Sequence, residues 1–167
     1  MILRSLTARR RRRRGVATVW LIAAAPALLV LLALVTEIGN VWLARIELGN
    51  AVEAGALAGA KAWGDAGTDT AAARVIALAS ALEFTNANWV HRQPPVTPDV
   101  VFGSFDAGVF TPAPPAITIG QFACRVNATA NVNPLWAGTT VFCTKTVQNS
   151  ATAWYSAPVP RLVHVNP

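Results

Sequence analysis

Catalytic chemistry has little to draw on in this chain. Only two histidines occur, His91 and His164, and neither has a second His or a Cys at metal-ligand spacing. The eight acidic residues are scattered. Asp65 and Asp69 fall at a turn and a helix start, where carboxylates cap, and Asp99 and Asp106 flank a predicted strand. A glycine-rich phosphate loop, a GxSxG elbow and an HExxH pair are all missing. These gaps argue against an enzyme, and no catalytic, cofactor-binding or metal-ligating residue is assigned. No cofactor and no small-molecule substrate are expected. Asn127-Ala128-Thr129 matches the glycosylation acceptor pattern but lies inside a predicted strand, where chance explains it better.

Negative charge is also short, with fourteen Lys and Arg against eight Asp and Glu and a pI near 10.7. The excess is local. Arg4 and Arg9, Arg10, Arg11, Arg12, Arg13 and Arg14 supply seven of the fourteen basic residues, so the remainder carries about −1. Nucleic-acid binding needs cations spread over a folded face among polar or aromatic readers, and that pattern is lacking. No nucleic-acid partner is expected.

What the chain does have is a long uncharged run beside that arginine block. Val16 to Val35 contains no charge, and about twenty helical residues at ~1.5 Å each match the roughly 30 Å hydrocarbon core of a bilayer. The flanking arginines then act as a topology signal: they stay in the cytoplasm and the C-terminal part is sent outward. Membrane lipid is the first partner this implies, anionic headgroups included. A cleavable signal peptide would have an apolar core of about 7 to 15 residues ending at a small-residue site, whereas this run is longer and continues into helix-compatible sequence. Pro26 sits mid-span and is expected to kink the helix. Trp20 and Trp42 suit the two interfaces, and Glu37 and Asn40 mark the exit from hydrocarbon.

The helical pattern runs on from Glu37 to Trp63 without proline, with Val41, Leu48, Val52 and Leu57 near helical spacing. A continuous rod from Val16 to Ala62 would be about 70 Å long. Its second half is rich in Ala and Gly. Gly55 and Gly59 have the small-xxx-small spacing that lets a helix approach closely, either a partner's helix or one of the same domain. Gly64 to Thr68 breaks the pattern. A second, antiparallel helix capped by Thr68 or Asp69 is predicted to reach about Phe84, with Val75, Ile76, Ala79 and Leu82 as its apolar stripe.

After Val96 the period becomes two. Strands are predicted at Val100–Phe105, Gln121–Val132, Thr139–Val147 and Ala151–Tyr155. In the second of these, Phe122, Cys124, Val126, Ala128, Ala130 and Val132 share one face. The fold class is α+β: a transmembrane helix extending into a long Ala-rich helix, a second antiparallel helix, then a small antiparallel sheet. By residue this gives a cytoplasmic Arg-rich tail (1–15), the span (16–36), an extracytoplasmic helical pair (37–90) and an extracytoplasmic β-rich region (91–167). Cys124 and Cys143 fall in adjacent predicted strands, and an oxidising compartment favours a bridge between them. Such a bridge contributes roughly 3 kcal/mol in the chain-entropy model. The alternative is two separate buried thiols.

The order of features resembles the TadE/TadG-like family of tight-adherence (Flp-type) pilus-assembly proteins. The likeness rests on RRGVATVWLIAAAPALLVLLALVTEIGNVWLARIELGNAVEAGALAGAKAW. The matching positions include Arg13, Arg14, Gly15, Pro26, Glu37, Gly39, Leu43, Ala44, Arg45, Ala56, Leu57 and Ala58. A weaker likeness lies in VVFGSFDAGVF and ACRVNATANVNPLW. The resemblance implies a bacterial cytoplasmic-membrane protein, single-pass with its N-terminus inside. It would act as a minor pilin or accessory scaffold and bind pilus or secretion-machine subunits through helix packing. Family members that are processed are cut after a Gly and have Glu at the fifth mature residue. The corresponding positions are the Gly15–Val16 bond and Trp20, so an uncleaved anchor is expected. A structural or adhesive envelope protein outside any pilus is the first alternative, and a membrane-tethered enzyme the second.

Overall fold

The computed structural model describes residues 3–112, 121–136, 143–156 and 159–163. The chain divides into two compact units, Met1–Gly39 and Asn40–Pro167. Helix α1 (Leu3–Ala66) supplies the first unit and the opening of the second.

In the first unit the side chains from Ala17 to Leu32 are exposed, as a lipid-facing segment requires. One described helix is long and apolar enough to cross a membrane, and this is it. The helix continues across Pro26. Near the end of the apolar run the Thr36 hydroxyl donates to the carbonyls of Leu32 and Ala33, both at 3.0 Å, so a polar side chain is satisfied within its own helix.

The second unit is a helix-on-sheet layer. Ala44, Leu48, Ala51, Val52, Ala56, Ala60 and Trp63 of α1 are buried, the spacing of one helical face. They meet a five-stranded sheet in the order β2-β1-β3-β4-β5, antiparallel throughout. The strands are β1 (Val96–Asp106), β2 (Val109–Pro112), β3 (Phe122–Val132), β4 (Lys145–Ser156) and β5 (Val159–Val163). On β3, Phe122, Cys124, Val126, Ala128, Ala130 and Val132 are all buried, which is the alternation read from the sequence. Helix α1 stops where Gly67 adopts φ +64° and its N–H donates to the Gly64 carbonyl at 3.0 Å, a glycine C-terminal cap.

Three expectations need correction. Helix α2 (Ala71–Ala87) is capped by Thr70, whose hydroxyl accepts from the Ala73 N–H at 3.2 Å, and not by Thr68 or Asp69. Its buried stripe is Ala73, Ala77, Ala81 and Thr85, while Val75, Ile76 and Ala79 are exposed. The inward face is made of small residues, three alanines and Thr85, because α1 comes close there through Gly55 and Gly59. The sheet also differs: β4 is one strand where two were predicted, β1 starts earlier at Val96, and β2 and β5 are additional. Residues 139–142 of the expected third strand lie outside the described residues. A register shift between Val96 and Asp99 accommodates Pro98 within β1.

Candidate functional site

The glycine pair of α1 forms a seam against α2 of the same chain. A Cβ built on Gly55 would stand 1.9 Å from Thr85 Oγ1 and 2.9 Å from the Ala81 carbonyl oxygen. On Gly59 it would stand 2.7 Å from Cys124 Sγ and 3.0 Å from Ala81 Cβ. Thr85 closes the seam without leaving a polar group unmet, since its hydroxyl donates to the Ala81 carbonyl at 2.7 Å. One turn further on, the Tyr155 ring lies where a Gly64 side chain would be, with ring carbons 2.0 to 2.4 Å from the built Cβ. The Tyr155 hydroxyl donates to Asp65 at 3.3 Å, and Asp65 also pairs with Lys61. That ion pair holds the exposed Asp65 carboxyl below its ordinary range.

Above the seam Trp63 is fully buried between two aromatic rings. It stacks on Phe122 with centroids 4.7 Å apart at 16°, and meets Phe102 edge-on at 5.1 Å and 76°. The Arg74 guanidinium lies 5.4 Å from the Trp63 ring centroid and forks onto Asp69 at 2.6 and 2.7 Å. Arg74's hydrogen bonds lower the Asp69 pKa. The stability this adds is present above the unfolded carboxyl's pKa and is lost as pH falls through the lower folded value. Sequence reading did not single out Trp63, although it continues the buried spacing through Ala56 and Ala60.

The expected disulfide is not formed: Cys124 and Cys143 are both free thiols. Cys124 is paired across the ladder with Ala153, whereas Cys143 precedes the Lys145 end of β4, where Lys145 pairs with Val132. From Cys124 to Val132 is about 26 Å along a strand at ~3.3 Å per residue, far beyond the roughly 7 Å Cα separation a bridge permits. Burial pushes the Cys124 thiol up to about 12. In native protein at pH 8 a maleimide is therefore expected to add once, at exposed Cys143, and a second time only in denaturant. Non-reducing intact mass checks this, and a native protein that takes no adduct would restore the bridge.

The other residues selected from the sequence are placed as follows. Arg9 to Arg14, Gly15 and Val16 lie on α1 in the first unit, as does Pro26. Glu37 is buried. A tight turn that the sequence did not announce joins α2 to β1. His91 and Arg92 both take positive φ, 50° and 66°, between reciprocal Val90–Gln93 backbone bonds of 2.7 and 3.0 Å. The His91 N–H at its apex donates to Glu47 Oε2 of α1 at 2.8 Å. Among the described residues no group of three or more His, Cys, Asp or Glu side chains could hold a metal ion.

An apolar helix of spanning length that becomes the spine of a helix-on-sheet unit defines an anchored packing module. Residues 15–62 match the family described as "Putative Flp pilus-assembly TadE/G-like", so this segment is similar to that family. The match runs from Gly15, through the apolar run, to the residue before Trp63. No curated protein and no solved structure matches the chain.

Proposed function

We propose that this protein is a fixed, single-pass accessory scaffold of Flp-type pilus assembly, with its arginine tail in the cytoplasm and its α+β unit outside. The observation that carries the reading is the pilus-assembly family match over the apolar helix and its continuation. Orientation follows from the arginine block beside the apolar run. Two features favour a scaffold over a processed filament subunit. Trp20 stands where the processed members of the family it resembles carry Glu. The Gly55–Gly59 pair is filled by α2 of the same chain, which removes it from the surfaces open to another subunit's helix. The partners are membrane lipid and pilus or secretion-machine subunits.

One strain tests this reading: a gene deletion complemented by the full chain fused at Pro167 to alkaline phosphatase. The deletion is expected to lose pili, the fusion to show phosphatase activity, and the protein recovered from membranes to begin at Met1. A stable but inactive fusion would reverse the orientation. A start at Val16 would turn the scaffold into a processed pilin, and unchanged piliation in the deletion would move the protein to an envelope role outside the pilus.

A further inference from the structure

The sequence ends the span near residue 36 because Glu37 and Asn40 follow. Both of those side chains are buried, whereas Ile38, Trp42 and Leu43 of the same helix are exposed. The exposed surface of α1 therefore stays apolar to Leu43, and the next exposed charge is Arg45. From Trp20 to Trp42 is about 33 Å of helix at ~1.5 Å per residue, close to the roughly 30 Å core that interfacial tryptophans flank.

Two segments remote in sequence are tied to α1 at this level. Asn40 Nδ2 donates to the Asn133 carbonyl at 3.1 Å, beside the turn that exposes Trp136. Glu47 accepts from the His91 N–H at 2.8 Å, in the strained turn that follows Trp89. Asn40 and Glu47 are about 10 Å apart along the axis. Trp42, Trp89 and Trp136 are 67 %, 65 % and 44 % exposed, while Trp63 is fully buried. Arg45, two residues before Glu47, and Arg92, next to His91, are both exposed and add positive charge suited to anionic headgroups. Tryptophan and arginine together are the chemistry of a lipid interface.

We propose that the end of the second unit carrying Trp42, Trp89 and Trp136 is seated in the lipid interface on the outer side of the membrane. Three chain segments then hold the folded unit at the bilayer, and the span ends at Trp42. The proposal rests on reading α1 as a membrane span. A seated unit is held close to the bilayer, where one attached by a helix alone would stand free in water.

The test uses the full chain with Cys143→Ser, reconstituted in phosphatidylcholine–phosphatidylglycerol vesicles with no other protein. A nitroxide is placed in turn at Leu28→Cys, Thr68→Cys and Gln93→Cys, the last leaving Trp89 intact. Collision with oxygen and with a water-soluble nickel chelate is read by power saturation. Position 28 is expected to be oxygen-rich and nickel-poor, and position 68 open to nickel. Position 93 should be several-fold less open to nickel than 68, and adding Trp89→Ser should raise its value towards that of 68. Equal nickel access at 93 and 68, with 28 still lipid-like, overturns the seat and makes a protein partner the occupant of the tryptophan surface. Nickel access at 28 overturns the anchor itself and this proposal with it.

Discussion

Trp63→Ala is expected to cost about 3–5 kcal/mol, the range for emptying a buried tryptophan site, and so to remove a large part of a domain stability of about 5–15 kcal/mol. Three losses coincide. The indole is fully buried, so its whole apolar surface leaves the core. Its stack on Phe122 and its edge contact with Phe102 join the last turns of α1 to β3 and β1, and both disappear. Arg74 loses the ring beneath it, a further ~0.5–2 kcal/mol where the cation is partly desolvated. The cavity left cannot close easily, because Phe122 and Phe102 are fixed by ladder pairs with Ser104 and Cys124. Urea unfolding of the full chain in detergent micelles, followed by near-ultraviolet circular dichroism, measures the change. Trp20→Ala, on the exposed face of the first unit, should stay within about 0.5 kcal/mol. A loss below about 1 kcal/mol for Trp63→Ala would show that the aromatic cluster does not hold helix to sheet.

The parts of this fold legible in the sequence are those where one physical requirement governs a long stretch. The long apolar helix is legible because Val16 to Val35 is an unbroken uncharged run of the length a bilayer demands. Strand β3 is legible because one face is buried against α1 while the other, apart from Ala123, is only partly buried, so polar residues alternate with apolar ones from Cys124 to Val132. Helix α2 misled for the opposite reason. Its large apolar residues, Val75 and Ile76, point outward, and the inward face is chosen by fit to Gly55 and Gly59, which hydrophobicity does not encode. Strand β2 has four residues and β5 contains Pro160, both too short or irregular for a period-two signal. The two left-handed residues Ala107 and Gly108 turn β1 into β2, and an alanine there hides a hairpin that Asn-Gly would have advertised. The cysteines misled because adjacency of strands says nothing about position along them. Trp89 and Trp136 are not legible as a pair, since only the hydrogen bonds to Glu47 and Asn40 bring their turns to the same stretch of α1 as Trp42, within about 10 Å along its axis.

Gly55→Leu is expected to lower stability by about 3 kcal/mol, at the upper end of the range for overpacking a close-packed core. Leucine is a better helix former than glycine by up to about 1 kcal/mol, so propensity alone predicts a gain. Packing decides the sign. The first atom of the new side chain would already stand 1.9 Å from Thr85 Oγ1 and 2.9 Å from the Ala81 carbonyl oxygen, and a backbone carbonyl cannot move without moving α2. Rotating Thr85 away breaks its hydrogen bond to Ala81 and leaves its Cβ 3.2 Å from the same point. Gly49 provides the contrast within one helix. Its nearest obstacle is the Asn149 side-chain amide at 3.0 Å, which can swing aside, so Gly49→Ala should be neutral or stabilising by up to about 1 kcal/mol. Thr85→Ala added to Gly55→Ala should recover part of the loss, because it removes the nearer clash and keeps the carbonyl one. That partial rescue is a coupling of about 0.5–3 kcal/mol in a double-mutant cycle read by the same unfolding assay. A stabilising Gly55→Leu would mean that α2 does not lie on this seam, and the glycine pair would again be open to a helix from another subunit.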